Sequence, residues 1–395
     1  MRGKIKQIVV FFFLTVLVFG VFGLGIWIGR EQKVCDVCAP EDLDFSLFWQ
    51  TWEVLQEKYV DKDEIDVQNL IYGAISGMVE SLGDPYTVFL SPGDTKMFLD
   101  EVSGSFEGVG MEIDIRDGQL QVIAPLEGSP AKEAGLRAGD KIIEIDGKSA
   151  SNITVEEAVK LIRGPKRTKV VLGIYREDWG EVRDIEIIRQ VIEIPSLKLE
   201  IREDNIAYIH LYQFYETAAD DFQKVAMQIL ASPAQKIILD LRNNPGGYLE
   251  ISQDIASWFL EKNEIVAIED FGEGINPELY KAKGNAKLIS YPIVVLINEG
   301  SASASEILAG ALRDNRGIKL IGQTSFGKGS VQVVERLEGG ASLKVTVAKW
   351  LTPEGLSITE EGLVPDVEVE MTAEDYEEGR DPQLDKAIEI LGDLN

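Results

Sequence analysis

Histidine is nearly missing from this chain, whose 395 residues include a single one, His210. Serine hydrolases of the Ser-His-Asp kind need a histidine to take the nucleophile's proton. His210 falls in the alternating run 206–212, where a strand residue on the pleat is the simpler reading. Any serine nucleophile here therefore needs another base. Cysteine is almost as scarce, with Cys35 and Cys38 alone in a C-x-x-C spacing. That spacing is half of a zinc site, and the lone histidine is far away in sequence. The pair reads as a local or intermolecular disulfide of an oxidising compartment, and no βαβ pattern surrounds it to support a redox role. No metal-ligand cluster is visible, and no metal or cofactor is expected. Basic residues are also in deficit, 39 Lys and Arg against 67 Asp and Glu, for a net charge of −28. Nucleic-acid binding needs clustered Lys and Arg, so it is excluded as a function class.

Charge is absent altogether from residues 8–29, a run rich in Phe, Leu, Val and Ile. About 20 such residues cross a ~30 Å hydrocarbon layer. Arg2, Lys4 and Lys6 precede the run, which places residues 1–7 in the cytoplasm and the rest of the chain outside it. A cleaved signal peptide is the rival reading, but the run ends Gly25-Ile26-Trp27-Ile28-Gly29-Arg30 without a small-x-small site. The expectation is a single-pass membrane anchor at 8–29, a polar stalk at 30–42, and an extracytoplasmic remainder, periplasmic or extracellular.

Residues 43–104 read as a helical segment. Phe45, Phe48, Trp49, Trp52, Leu55 and Tyr59 recur at helical spacing and predict a packing face, and Leu70, Ile71, Ala74, Ile75, Met78 and Val79 predict a second helix. Gly83-Asp84-Pro85-Tyr86 then breaks the pattern. Residues 105–190 change texture to short β-branched runs between glycines. They carry Gly108-Val109-Gly110 before a strand, a Ser129-Pro130-Ala131 helix start, Ala134-Gly135-Leu136, Gly139-Asp140 and an Asp146-Gly147 turn. This ordered set resembles a PDZ domain, a β-rich unit with two helices that takes an extended peptide C-terminus as an added strand. The resemblance assigns Gly108, Val109 and Gly110 to the carboxylate-binding loop.

From 191 to 372 strands and helices alternate, which argues an α/β layer structure. Strands are expected at 206–212, 237–241, 265–268 and 292–297, and helices at 218–230, 249–260 and 303–313. Two loops leave strand C-termini, where open α/β sheets place their sites: Arg242-Asn243-Asn244-Pro245-Gly246-Gly247 and Asn298-Glu299-Gly300-Ser301-Ala302-Ser303-Ala304-Ser305. A backbone N–H from each would form an oxyanion hole. The second loop exposes a serine hydroxyl at a helix start, a strand–turn–helix setting for a nucleophile. A base remains to be found, and Lys328 lies between Gly327 and Gly329 beside apolar strands. Burial would have to lower its pKa for it to act. Glu306 stands near a helix start, where the dipole alone explains it. Asp240 and Arg242 read as a structural pair. Residues 373–395 form an acidic tail with a short amphipathic helix at 384–391.

From residue 45 to the C-terminus the chain resembles the carboxyl-terminal processing proteases, the tail-specific serine peptidases. The resemblance rests on Gly83-Asp84-Pro85-Tyr86-Thr87, the PDZ run, the 240–247 and 300–306 segments, Gly327-Lys328-Gly329-Ser330-Val331-Gln332, Thr352-Pro353-Glu354-Gly355 and Gly362-Leu363-Val364-Pro365-Asp366, in that order. It implies a core related to the crotonase and ClpP type of fold. It places the nucleophile on Ser303 and not on Ser301 or Ser305, the general base on Lys328 and a lysine-orienting side chain on Gln332. It implies oxyanion donors at Ala304 and at Gly246 or Gly247, without choosing between the glycines. Arg163 resembles a PDZ arginine that couples ligand sensing to protease alignment.

The expected function is thus a membrane-anchored serine endopeptidase that recognises substrate C-terminal tails, preferably apolar ones, through its PDZ domain and cleaves with a Ser-Lys dyad. Its partners are protein or peptide substrates and the membrane, with the terminal helical segments as surfaces on which two copies could pair. The alternative is a catalytically inactive PDZ scaffold that binds peptides without cutting them.

Overall fold

The computed structural model describes residues 43–394 except 117, 177 and 360. The expected membrane span, the stalk and the Cys35/Cys38 pair lie outside these residues. Among the described residues no helix is long and apolar enough to cross a membrane. The chain divides into two compact units, residues 1–71 and 72–395.

Of the first unit, the described part is the helix Ser46–Lys58, a 3-10 turn at Lys62–Glu64 and the start of the helix Val67–Glu80. The aromatic stripe expected to be a packing face lies on the first of these helices, but none of that helix's residues is buried. Trp49 stands 59% exposed.

The second unit opens with the 83–87 turn, strand β1 (Val88–Leu90) and the helix Pro92–Ser103. That helix has Ser91 Oγ accepting from Asp94 N–H, Pro92 in its first turn, and Gly104 at φ 75° to stop it. Strand β2 (Ser105–Gly108) leads into the PDZ-like segment, with β3 (Met111–Arg116), β4 (Gln119–Pro125), β5 (Lys141–Ile145), β6 (Lys148–Ser149), β7 (Lys169–Tyr175) and β8 (Val182–Ile188). These pair antiparallel in the order β3-β4-β5-β7-β8, with β6 on β5. Strand β9 (Gln190–Glu193) then returns to pair with β2, so the segment is closed at its neck by its own entry and exit strands. Val109, Leu120, Val122, Ile142, Leu172 and Ile174 fill its core with Ala158 and Ile162 of the helix Val155–Ile162. A Thr154–Glu157 capping box starts that helix. Arg189 secures its end by donating to the carbonyls of Leu161 and Ile162.

The remaining strands are β10 (Leu197–Ile201), β11 (Ile206–Leu211), β12 (Lys236–Asp240), β13 (Ile265–Asp270), β14 (Glu278–Lys281), β15 (Ile293–Ile297), β16 (Lys319–Gly322), β17 (Ser330–Arg336), β18 (Ser342–Leu351) and β19 (Val367–Glu368). The main sheet runs β10-β11-β12-β15-β16-β19, parallel from β11 onward. Side-chain alternation along its buried strands divides them between two cores. Ile293, Val295 and Ile297 pack with Phe222, Ile255 and Leu308 of the helices Ala218–Ala231, Leu249–Ala256 and Ala304–Arg316. Val294 and Leu296 pack with Ala387 and Leu391 of the helix Pro382–Asp393. Helices thus cover both faces, as the α/β reading expects. The helix read over 249–260 stops at Ala256, yet Phe259 and Leu260 are fully buried in the bend beyond it. Their apolar character reflects that burial and not a longer helix. A second sheet runs in the order β1-β18-β13-β14, with β17 also paired to β18.

The C-terminal helix is fastened to the end of β12 by charge. Arg242 donates to both oxygens of Asp381, at 2.8 Å each, and its Nη2 lies 2.6 Å from Asp240 Oδ2. Tyr208 Oη donates to the same Asp240 oxygen, and Asp381 also caps the helix through Leu384 N–H. Burial opposes the guanidinium charge, but Asp381 and Asp240 outweigh it and hold the arginine proton more tightly than usual. Removing one partner of a buried pair leaves the other charge uncompensated. Arg242→Ala should therefore lower unfolding stability by about 3–5 kcal/mol in urea titration. An unchanged midpoint would show that the strap carries no load.

Candidate active site

The loops 242–247 and 298–303 leave adjacent parallel strands, β12 and β15, at their C-terminal ends. They are joined residue by residue. Asn243 N–H donates to Asn298 Oδ1 at 2.8 Å, and Asn298 Nδ2 returns a bond to Asn243 Oδ1 at 2.9 Å. Asn243 takes φ 58°, a left-handed position that asparagine tolerates. Asn244, fully buried, donates Nδ2 to Leu211 O and accepts Gly246 N–H on Oδ1. Its carbonyl takes Ala302 N–H and Ser305 Oγ.

These bonds sort the three serines. Ser301 is fully buried, its hydroxyl donating to Leu241 O at 2.8 Å and accepting Asn298 N–H at 3.0 Å. Ser305 is equally buried, its hydroxyl 2.9 Å from Asn244 O. Both hold the two loops together. Ser303 is the one left half-buried, at the start of the helix Ala304–Arg316. Its backbone sits at φ 56°, ψ −115°, a conformation that costs a side-chain-bearing residue about 1–3 kcal/mol. Such a turn throws a serine hydroxyl out of the chain path at a helix N-terminus. Gly246 makes room for it: at φ 100°, an added Cβ would lie 2.7 Å from Ala302 O and 2.9 Å from Ser303 Cβ.

Glu306 holds this turn in place. It is fully buried, and its two oxygens accept from four donors. Oε2 takes Ser303 N–H at 2.8 Å and Lys328 N–H at 3.0 Å. Oε1 takes Ser325 Oγ at 2.6 Å and Gly327 N–H at 2.8 Å. Burial pushes its carboxyl above the ordinary range against the pull of those donors. The residue read as a helix-dipole charge is therefore a clamp between the serine turn and the lysine loop, which corrects the sequence reading.

Lys328 is half-buried, with Nζ 5.4 Å from the centroid of the Tyr86 ring. Burial lowers its pKa below that of free lysine, and the charge of Lys344 lowers it further, with Glu306 opposing. Tyr86 is delivered by a turn that Asp84 ties off, its carboxylate accepting Tyr86 N–H at 3.0 Å and Thr87 Oγ1 at 2.6 Å. Gln332, on β17, donates Nε2 to Ser330 Oγ at 2.7 Å. Gly246 N–H is engaged by Asn244, whereas among the described residues no acceptor meets Gly247 N–H or Ala304 N–H.

In the PDZ-like segment Val109 is a core residue, 1% exposed. Its carbonyl accepts Ala131 N–H, and that of Gly110 accepts Leu126 N–H and Ser129 Oγ. No acceptor meets the N–H of Val109 or Gly110 among the described residues. Arg163 stacks on Phe106 at 4.3 Å beside Gly108, with burial lowering its pKa and Asp100 and Glu101 opposing. His210 stands on β11 with its ring 4.3 Å from that of Tyr212, and burial lowers its pKa. Asp240 and Arg242 form the ion pair the sequence suggests. Glu306, Asn244 and Tyr86 are the site residues that sequence reasoning did not single out. The only local signal was Glu three places after Ser303, a capping-box spacing.

Glu306→Gln keeps the shape but turns one acceptor into a donor facing two N–H or O–H groups. Unsatisfied buried donors cost about 1–3 kcal/mol each. The variant should unfold at a clearly lower urea concentration than wild type, and an equal midpoint would remove the clamp from consideration.

Comparison with known proteins finds relatives along most of the chain. The model of peptidase family S41 matches residues 205–369, that of the PDZ domain residues 100–175, and that of the activating protease CtpB N-terminal domain residues 31–93. The chain is 35% identical to carboxy-terminal processing protease CtpA of Bacillus subtilis, over 93% of this chain and 78% of that one. It is 33% identical to CtpB of the same organism, over 88% and 71%. Among solved structures, a photosystem II D1 C-terminal processing protease aligns with TM-score 0.50 at 30% identity, covering 83% of this chain and 89% of that one. An S41 protease from Bacteroides fragilis, at TM-score 0.52 and 15% identity over 91% and 100%, shares the fold. With its PDZ segment and its α/β core, the chain belongs to the carboxy-terminal processing serine proteases of peptidase family S41.

Proposed function

We propose that the chain is a membrane-anchored endopeptidase in which Ser303 is the nucleophile and Lys328 its general base. The observation that carries this reading is the shared carboxylate oxygen. Ser303 N–H and Lys328 N–H both donate to Glu306 Oε2, at 2.8 and 3.0 Å, so the two turns converge on one atom. Burial of Lys328 favours the neutral amine that a base requires.

In the proposed cycle the substrate's C-terminal carboxylate rests on the N–H groups of the 108–110 loop, beside Arg163. Its chain adds as a strand to the PDZ segment and feeds the cleft. Ser303 Oγ attacks the scissile carbonyl while Lys328 Nζ takes the hydroxyl proton. The tetrahedral oxygen is held by Ala304 N–H and Gly247 N–H. Gly247 is preferred because Asn244 already holds Gly246 N–H, and Gly246 serves by lacking a Cβ. Lys328 then returns the proton to the leaving amine, and water hydrolyses the ester. Gln332 has its Oε1 left over once Nε2 is given to Ser330, and we assign that oxygen to orienting Lys328 Nζ. The basic residues before the apolar run at 8–29 support an anchor with the protease outside the cytoplasm. The exposed apolar helix Ser46–Lys58 supports pairing of two copies. The inactive-scaffold alternative has no observation in its favour.

The test is digestion of an unfolded protein with an apolar C-terminus by the full chain, with the products mapped by mass spectrometry. Ser303→Ala and Lys328→Ala should each lose more than about 1,000-fold in kcat/KM. Cleavage by Ser303→Ala at the wild-type rate would sink the assignment. Because neutral Lys328 is the active form and its pKa is lowered, wild-type kcat/KM should rise with pH through a value below that of free lysine. A flat profile from about pH 5 to 10 would count against lysine as base.

A further inference from the structure

Tyr86 is the aromatic residue that the fold carries to Lys328, and the proposed cycle gives its ring no task. Strand β18 holds the two together. β1 starts two residues after Tyr86 and β17 two residues after Lys328, and both pair antiparallel with β18. Lys344 of β18 opposes Val88 on one side and Val334 on the other, so β1 and β17 flank that strand. The turn that presents Tyr86 is closed from within. Pro85 fixes its own φ, and the Asp84 carboxylate accepts Tyr86 N–H at 3.0 Å and Thr87 Oγ1 at 2.6 Å. Thr87 is 4% exposed, and its Oγ1 accepts Thr346 N–H of β18 at 3.0 Å. On the other side Gly329 O, next to Lys328, accepts Trp350 N–H of the same strand at 2.7 Å. Across this frame Lys328 Nζ lies 5.4 Å from the centroid of the Tyr86 ring.

We propose that Tyr86 is a positioning residue for Lys328, whose ring face holds Nζ in place and receives the ammonium formed when the Ser303 proton is taken. This rests on the reading of Lys328 as general base.

The lysine needs an anchor. Its stem is long and flexible, a glycine stands on each side of it, and holding such a side chain in one rotamer carries an entropy cost. Glu306 meets the backbone N–H of Lys328 and gives its other acceptor sites to Ser303, Ser325 and Gly327. Among the described residues no carboxylate pairs with Nζ, and the Tyr86 ring is what lies over it. A carboxylate in that place would favour the ammonium at rest, and the lysine would enter the cycle already carrying its proton. An aromatic face attracts a cation more weakly. As Ser303 Oγ bonds to the scissile carbonyl carbon, the hydroxyl proton passes to Nζ and the carbonyl electron pair moves to oxygen. Positive charge then appears on Nζ, against the negative face of the ring. Interactions that are stronger in the transition state than before it are the ones that raise kcat. The charged groups that bear on Lys328 are Glu306, which favours the ammonium, and Lys344, which opposes it.

The test is kcat and KM across pH for the full chain on the same unfolded protein substrate, in wild type, Tyr86→Phe, Tyr86→Leu and Tyr86→Met. Leu and Met keep an apolar side chain in the turn but present no ring face. Each should lower kcat about 10-fold with KM little changed. Tyr86→Phe keeps the face and should recover most of that loss. The ring favours the ammonium, so removing its face lowers the pKa of Lys328. The acidic limb in Leu and Met should therefore stay in place or move to lower pH. A merely structural tyrosine would be replaced as well by Leu or Met as by Phe. Wild-type kcat in Leu and Met, a loss in Phe as large as in Leu, or a limb that moves upward in Leu and Met overturns the proposal. Wild-type activity in Lys328→Ala would instead strike the reading of Lys328 as base, so the two failures are distinct.

Discussion

The carboxylate of Glu306 is the point on which the site depends. A strained serine turn and a glycine-flanked lysine loop are both poor at holding themselves, since neither is built from regular hydrogen-bonded structure. Ser303 spends conformational energy to stand where it does, and Lys328 has a glycine on either side. One buried carboxylate meets backbone donors from both and also takes Ser325 Oγ, which itself accepts Leu363 N–H. Phe326 N–H donates to Ser301 O, a second tie between the same two segments. A charged acceptor makes stronger bonds than a neutral one, and it can serve four donors at once. No uncharged side chain of similar size has four acceptor sites.

Around that point the two strand-end loops behave as one body. Asn243 and Asn298 exchange amide bonds, Asn244 faces Leu211, Gly246, Ala302 and Ser305, and Ser301 reaches Leu241. These bonds run within or between the two loops or to the carbonyls of Leu211 and Leu241 beside them. The consequence is positional: the amides of 246–247 and 304 cannot drift relative to one another without breaking several bonds together. Oxyanion stabilisation draws its strength from donors fixed before charge develops.

Much of this was legible in the chain. Apolar runs ending in Asn/Gly and Ser/Gly loops marked the strand ends, because glycine and asparagine are what left-handed turns require, as Asn243 and Gly246 show. The choice among Ser301, Ser303 and Ser305 was not legible from physics alone, since the three hydroxyls are chemically alike and burial separates them only in the fold. The same holds for Glu306, which reads as a helix-dipole charge until the loop that carries Lys328 arrives from 22 residues away. Tyr86 looked like part of a helix-breaking turn, and its contact with Lys328 spans most of the chain. The helix at 249 overran in the sequence reading because buried bends and buried helices share one apolar signal.

The proposed lysine base makes a demand that the bulk of this molecule opposes. At net charge −28 the mean field favours protonated lysine. A carboxylate paired directly with Lys328 would make matters worse, raising its pKa as ion pairs do. The structure avoids that pairing by spending the oxygens of the nearest acid, Glu306, on backbone and hydroxyl donors. It covers the amine with an aromatic ring and sets a second cation nearby. Burial without a committed counter-charge is ordinarily a destabilising arrangement for a lysine. Here it is what the proposed general base requires in a chain with one histidine, and the supporting contacts accordingly converge on the backbone amides of the two loops.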